Sequence, residues 1–184
     1  ASAGTVGISN TVILNNKSYI KATLAGIYQN FSVVKDSVIP ADLNTFSYER
    51  SNFSEYKIFS SVFLNKKINT QHNFKAGLLF TRITENLIDS LYNPSFNGFR
   101  SITDYDGSSY LLQPYIQWQY KLTDNIILNP GLHVMYYFYN HSKSLEPRLG
   151  IKWHFAPAHS FSVGYGKHSQ IAPATVFYKQ IKTP

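Results

Sequence analysis

Residues 164–170, Gly-Tyr-Gly-Lys-His-Ser-Gln, bring together residue types that hold phosphates and metals: paired glycines, a lysine and a histidine. A phosphate loop needs G-x-x-x-x-G-K-[ST] between a strand and a helix, so that loop N–H groups and the helix terminus share the anion. Here the two glycines stand two apart and no helical pattern follows. A metal or haem site needs two or three converging histidines. His133, His154 and His168 share a polar strand face, but His154 falls by a short turn and His168 toward a long connection, so they read as polar lining. Asp104-Tyr105-Asp106-Gly107 matches the opening of a calcium loop, which makes Asp104 and Asp106 the metal candidates. The distal glutamate is missing, and a hydrophilic loop tip explains the pair as well. Glu49 and Glu55, six apart on one strand face, are too far apart to flank a glycosidic bond. No serine has a nucleophile-elbow context. These residues describe no enzyme and call for no cofactor.

The elements behind these residues follow from counting by twos. Leu149, Ile151, Trp153 and Phe155 alternate with Arg148, Gly150, Lys152 and His154; Phe161, Val163 and Tyr165 then alternate with Ser162, Gly164 and Gly166. Successive strand side chains point to opposite faces, so 147–170 is a hairpin with one apolar and one polar face. The same rhythm predicts eight strands, at about 3–14, 18–34, 47–64, 73–84, 108–121, 126–139, 147–155 and 160–170. Short turns at 15–17, 65–72, 122–125 and 156–159 alternate with longer connections at 35–46, 85–107, 140–146 and from 171 onward. That is an antiparallel up-and-down meander whose two ends face different environments, in one all-β domain.

Composition narrows the solvent. Of 184 residues, 16% are aromatic and only 15% charged, against roughly a quarter in ordinary globular domains. The absence of cysteine excludes disulfides and thiolate metal sites. The net charge of +7 is spread out, with no basic run longer than Lys66-Lys67, which excludes a nucleic-acid stripe. No apolar run is long enough for a transmembrane helix, but a tilted strand crosses in roughly 9–11 alternating residues. The apolar set (Phe74, Ala76, Leu78, Phe80, Leu112, Ile116, Leu128, Leu132, Val134, Leu149, Ile151) carries no charge. It is expected to face lipid. Tyr110, Trp118, Tyr120, Tyr136, Phe138, Trp153, Phe155, Phe161 and Tyr165 are expected to form its aromatic girdles. Lys75, Gln117, Lys121, His133, Arg148, Lys152, His154 and His168 are expected to face a lumen. Pro114 and Pro130 fall in the apolar set and are expected to mark bulges, since proline cannot donate to a ladder.

Ser144-Leu145-Glu146-Pro147-Arg148-Leu149-Gly150 and Gly164-Tyr165-Gly166-Lys167-His168-Ser169-Gln170 resemble the barrel of TonB-dependent outer-membrane receptors. The likeness is to the branch with an N-terminal carboxypeptidase-regulatory-like domain. Asn52-Phe53-Ser54-Glu55-Tyr56-Lys57 and Gly7-Ile8-Ser9-Asn10-Thr11 fit the same likeness. It implies a transmembrane barrel of 22 strands in a Gram-negative outer membrane, a plug domain inside it, and the TonB energy-coupling protein as partner. It also implies import of a small ligand, which these structural motifs do not specify. About eight strands and no plug match are present, so the chain is expected to be an internal piece of a larger barrel. Basic lumen positions would meet the plug or an anionic cargo. Two other readings make different structural demands. A self-contained eight-stranded outer-membrane barrel with a structural or adhesive role requires strands 1 and 8 to pair. A soluble β-sandwich binding module requires Tyr136 and Trp153 to be buried in protein.

Overall fold

Alternating strands pair where the chain can turn, and here polar side chains close the turns. The Asn15 side-chain oxygen accepts from the Lys17 N–H (2.9 Å), and that of Asn69 accepts from the N–H groups of Gln71 (2.9 Å) and His72 (2.8 Å). The Thr123 hydroxyl accepts from Asn125 and Ile126 (3.2 and 3.0 Å), and the Asn140 oxygen from Ser142 (3.1 Å). Each mimics a backbone turn bond two or three residues on. The computed structural model describes residues 1–38 and 44–172. Its strands are β1 (Ser2–Asn15), β2 (Ser18–Val38), β3 (Thr45–Lys67), β4 (His72–Asn93), β5 (Gly98–Lys121), β6 (Ile126–Tyr137), β7 (Ser142–Ala156) and β8 (His159–Gly166). They form one antiparallel sheet in chain order.

Among the described residues β1 and β8 are the sheet's edges and no ladder joins them. A closed eight-stranded barrel would pair these two strands, so that arrangement is not formed. A sandwich would need a second sheet; among the described residues there is one sheet, and Trp153 is 50% exposed.

The register carries a further regularity. One row of partners runs Ser18, Lys66, Phe74, Trp118, then by the unbroken β5–β6 register to Pro130, Leu149 and Tyr165. This row meets β2 at its first residue, β4 at its third, β6 at its fifth and β8 at its seventh. The stagger is therefore about one residue per strand. With a rise of roughly 3.3 Å and a strand spacing of about 4.8 Å, turns lying at one level require the strands to lean by about 35°. Closed barrels lean by roughly 35–45°.

Sequence alternation and structure part company at the strand ends opposite the short turns. The connection expected over 85–107 is mostly ladder: β4 and β5 pair up to Asn93 and Gly98. Only the single 3-10 turn Pro94–Phe96 intervenes, capped by the Asn93 side chain and closed by Asn97 at a left-handed φ of 51°. Both faces are polar over part of this stretch, so no hydrophobic period marks it. What holds it is Leu87 packed with Phe53 and Tyr105. Asp104 and Asp106 consequently sit side by side on an extended strand, opposite Ile88 and Asn86, rather than in a calcium-wrapping loop. β7 begins at Ser142 rather than 147, and β8 stops at Gly166 rather than 170. Part of the connection over 35–46 and the tail beyond 172 fall outside the described residues. Pro114 and Pro130 make no bulge. They leave gaps in the β5–β6 ladder, whose register is the same on either side of them.

Between bulges at the strand ends (Ile13/Asn15, Lys35/Asp36, Asp89/Ser90 and His154/Ala156), the register keeps one parity from β1 to β8. Val6, Ile8, Leu24, Val62, Leu78, Ile116, Leu132, Ile151 and Val163 all share the outer face. Val6, Ile8 and Tyr165 are about three-quarters exposed there (75, 74 and 76%). Apart from Ser18, every buried residue among those described lies on the other, inner face. Burial without a second layer means that the sheet curves toward that face.

Candidate functional site

The inner face is built row by row. Asn65, Lys75, Gln117, Gly131, Arg148 and Gly166 are consecutive ladder partners, and Phe63, Gly77, Tyr115, His133 and Glu146 form the next row. Lys121 and Lys152 flank Ile127 nearer the short turns. The expected set Lys75, Gln117, Lys121, His133, Arg148, Lys152 and His154 thus shares one face. Asn73, Lys75, Tyr115, Gln117, Asn129 and Arg148 line a cavity of about 520 Å³ on it. Gly77 is what lets Tyr115 lie there. A Cβ at Gly77 would stand 2.7 Å from the Phe63 Cβ and 2.8 Å from the Tyr115 ring. The Lys75 ammonium sits 4.1 Å from the Phe63 ring centre and 5.8 Å from that of Tyr115, where the ring faces attract it.

Behind His133 and Arg148, which line this cavity, lies a carboxylate that its residue type alone does not single out. Glu146 is 2% exposed. Its Oε2 lies 3.0 Å from His133 Nδ1 and accepts from the Arg148 guanidinium at 3.1 Å, while Oε1 accepts from the Ser169 N–H at 3.0 Å. A buried carboxylate persists only when so supplied with donors. The network turns the chain after β8 back over the inner face. Lys167 N–H reaches the Pro147 carbonyl (3.1 Å), Ser144 and Ser169 hydroxyls meet at 2.5 Å, and Ile171 packs on Leu111, Met135 and Tyr137. This is why β8 ends early: the Ser169 N–H is spent on Glu146, not on the ladder. His168 comes back with it, close to Arg148 beside Gly166, rather than standing away toward a long connection. His133 is engaged by Glu146, and no group of three metal-ligating side chains occurs among the described residues. The signal available in the sequence was Glu146 itself, the lone acid among Arg148, Lys152 and His154.

Two buried polar atoms facing this region have no partner, Asn73 Oδ1 and Arg148 Nε. An acceptor and a donor left open beside one cavity suit a polar occupant.

A second polar cluster lies further from the short turns. Glu55 faces Glu85 across the β3–β4 ladder, accepts from the Gln29 amide (2.6 Å) and pairs with Lys57 (2.8 Å). Glu49, too far along β3 to act with Glu55, pairs with Lys35 (2.9 Å). The outer face at the Glu85 level carries Arg82, Thr84, Asn86, Asp106 and Ser108. This part of the sheet therefore lies beyond the apolar band. Burial, and then the neighbouring Glu55 carboxylate, push the Glu85 carboxyl above the usual carboxylate range.

The aromatic residues of the outer face collect at two levels. Toward the short turns, His72 stacks on Tyr120 (4.8 Å), Trp118 on Tyr120 (5.1 Å) and Phe74 on Trp118 (5.5 Å); the Trp118 indole N–H donates to His72 Nδ1 (3.2 Å). Trp153 and Phe155 are in contact (5.6 Å), and Phe161 is the ladder partner of Trp153. At the other level Tyr110 meets Phe80 and Phe138, Tyr136 meets Phe138, and Tyr28 meets Tyr56. Tyr165 departs from this scheme. It faces Leu149 within the aliphatic band rather than joining Tyr110 and Tyr136.

A family model described as TonB dependent receptor-like, beta-barrel matches residues 5–178. Among curated proteins none matches the chain.

Proposed function

Because the chain belongs to the TonB-dependent receptor β-barrel family, an outer-membrane transport receptor family, we propose that its eight strands are an arc of a larger barrel wall through which a complete receptor imports a ligand. In this reading the outer face meets lipid and the inner face lines the lumen of a Gram-negative outer-membrane barrel. The complete receptor carries its own plug domain and draws energy from the TonB coupling protein.

The carrying observation is the outer face, uncharged between its two aromatic levels across the register. Trp118 and Tyr110 are eight residues apart on β5. At roughly 3.3 Å per residue and a lean of about 35°, they are separated by about 22 Å along the membrane normal, close to the roughly 25 Å apolar band of such barrels. Tyr120, Trp153, Phe155 and Phe161 would sit at one interface, Tyr110, Tyr136 and Phe138 at the other. Lys75, Gln117, Lys121, His133, Arg148, Lys152, His154 and His168 would line the lumen. Their chemistry, amides and cations beside Tyr115, suits hydrogen-bonding and anionic groups from the plug or the cargo.

Import is tested in cells. Deleting the complete receptor, or separately the TonB coupling protein, is expected to abolish depletion of the same compound from the medium. Uptake that persists without the coupling protein overturns the import reading.

A further inference from the structure

Leu64, Lys66, Ile68, Phe74 and Ala76 enclose a furrow of about 320 Å³ on the outer face, near the β3–β4 turn. It exists because Ala76 stands in register between Leu64 and Ile116, where a methyl group leaves open what a larger side chain would fill. The walls are hydrocarbon, and Lys66 is their one charge. Lys66 has no ion-pair partner among the described residues. Its level is informative: Lys66 is the penultimate residue of β3 as Tyr120 is of β5, so it stands level with the stacked His72, Trp118 and Tyr120 rings.

We propose that this furrow binds one acyl chain of a glycerophospholipid, with the Lys66 ammonium on the lipid phosphate. This rests on the membrane reading above. A lysine at an interface carries its charge toward the headgroups while its methylenes stay on apolar surface. The furrow beside it leads from that charge into the aliphatic band, so one molecule with an anionic head and a hydrocarbon tail satisfies both. A neutral lipid or a detergent tail would fill the furrow and leave Lys66 without its counter-charge.

The test is native mass spectrometry of the complete receptor, titrated with phosphatidylglycerol in detergent, beside two variants. Lys66→Gln is expected to weaken lipid retention about fivefold, the worth of one basic group near an anionic headgroup. Ala76→Phe fills the furrow and is expected to remove the retained lipid. Both side chains point away from the inner face, and heat-modifiable gel mobility checks that both variants fold. Equal retention by all three proteins overturns the site. Loss in Ala76→Phe with none in Lys66→Gln overturns the phosphate assignment. Wild-type receptor missing from the outer membrane overturns the membrane reading itself, which separates that failure from failure of the furrow alone.

Discussion

Arginine placed at Ile116 and at Gln117 asks which face of the sheet meets lipid, one residue apart on the same strand. Ile116 is 47% exposed on the outer face, two residues from Trp118 and six from Tyr110. At about 2.7 Å of depth per leaning residue, it lies within roughly 6 Å of the band's centre. There a guanidinium facing lipid costs about 2–4 kcal/mol, a factor of roughly 30 to 1,000 in the folding equilibrium. Gln117 opens on the inner cavity opposite Lys75. Gln117→Arg adds a like charge there but no transfer into hydrocarbon, and exposed charge pairs are worth about 1 kcal/mol or less. The expected result is that Ile116→Arg loses about 2–4 kcal/mol relative to wild type and Gln117→Arg less than about 1. The assay is urea unfolding of the complete receptor in lipid vesicles, followed by tryptophan fluorescence, with the plug deleted so that it cannot penalise Gln117→Arg. Equal losses, or a larger one at Gln117, would refute the assignment of faces and the membrane reading with it.

Three further outcomes follow from the inner face and its edges. Glu146→Ala strands Arg148, His133 and the Ser169 N–H, and is expected to cost about 2–4 kcal/mol; hydrogen exchange at Ser169 should rise with it, and unchanged protection there would remove Glu146 as the anchor of the chain after β8. Gly77→Ala drives a methyl into Phe63 and Tyr115 and is expected to cost about 1–3 kcal/mol, whereas Gly164→Ala, with only the Leu149 carbonyl at 3.8 Å, should be milder; the reverse order in unfolding experiments would contradict the packing. Glu85 concerns pH: a carboxyl whose folded pKa lies above its unfolded value holds a proton that the unfolded chain releases, so stability falls as pH rises through the interval between the two. Glu85→Gln is therefore expected to be more stable than wild type above that interval and equal to it below the unfolded value, and a pH-independent difference would refute the role of Glu85.

Which side chains share a face is legible in the sequence alone. Leu149, Ile151, Trp153 and Phe155 stand together because successive residues of any extended chain point oppositely, a property of the backbone that needs no partner strand. Asn15, Asn69, Thr123 and Asn140 sit where the chain turns for an equally local reason, since each bonds its own backbone two or three residues on. What lies across the ladder is set by the folded sheet. Nothing local brings Glu146 to Ser169, 23 positions later, or Glu55 to Glu85, 30 positions later. Nor does anything local show that 98–107 is strand, because both its faces are polar over part of its length. That segment is extended because β4 supplies its hydrogen bonds and Leu87 packs against its Tyr105. The lean of about 35° is likewise invisible in any single strand. It is a relation between registers, set by where each hairpin begins against its neighbour, and registers are contacts between residues far apart in the chain.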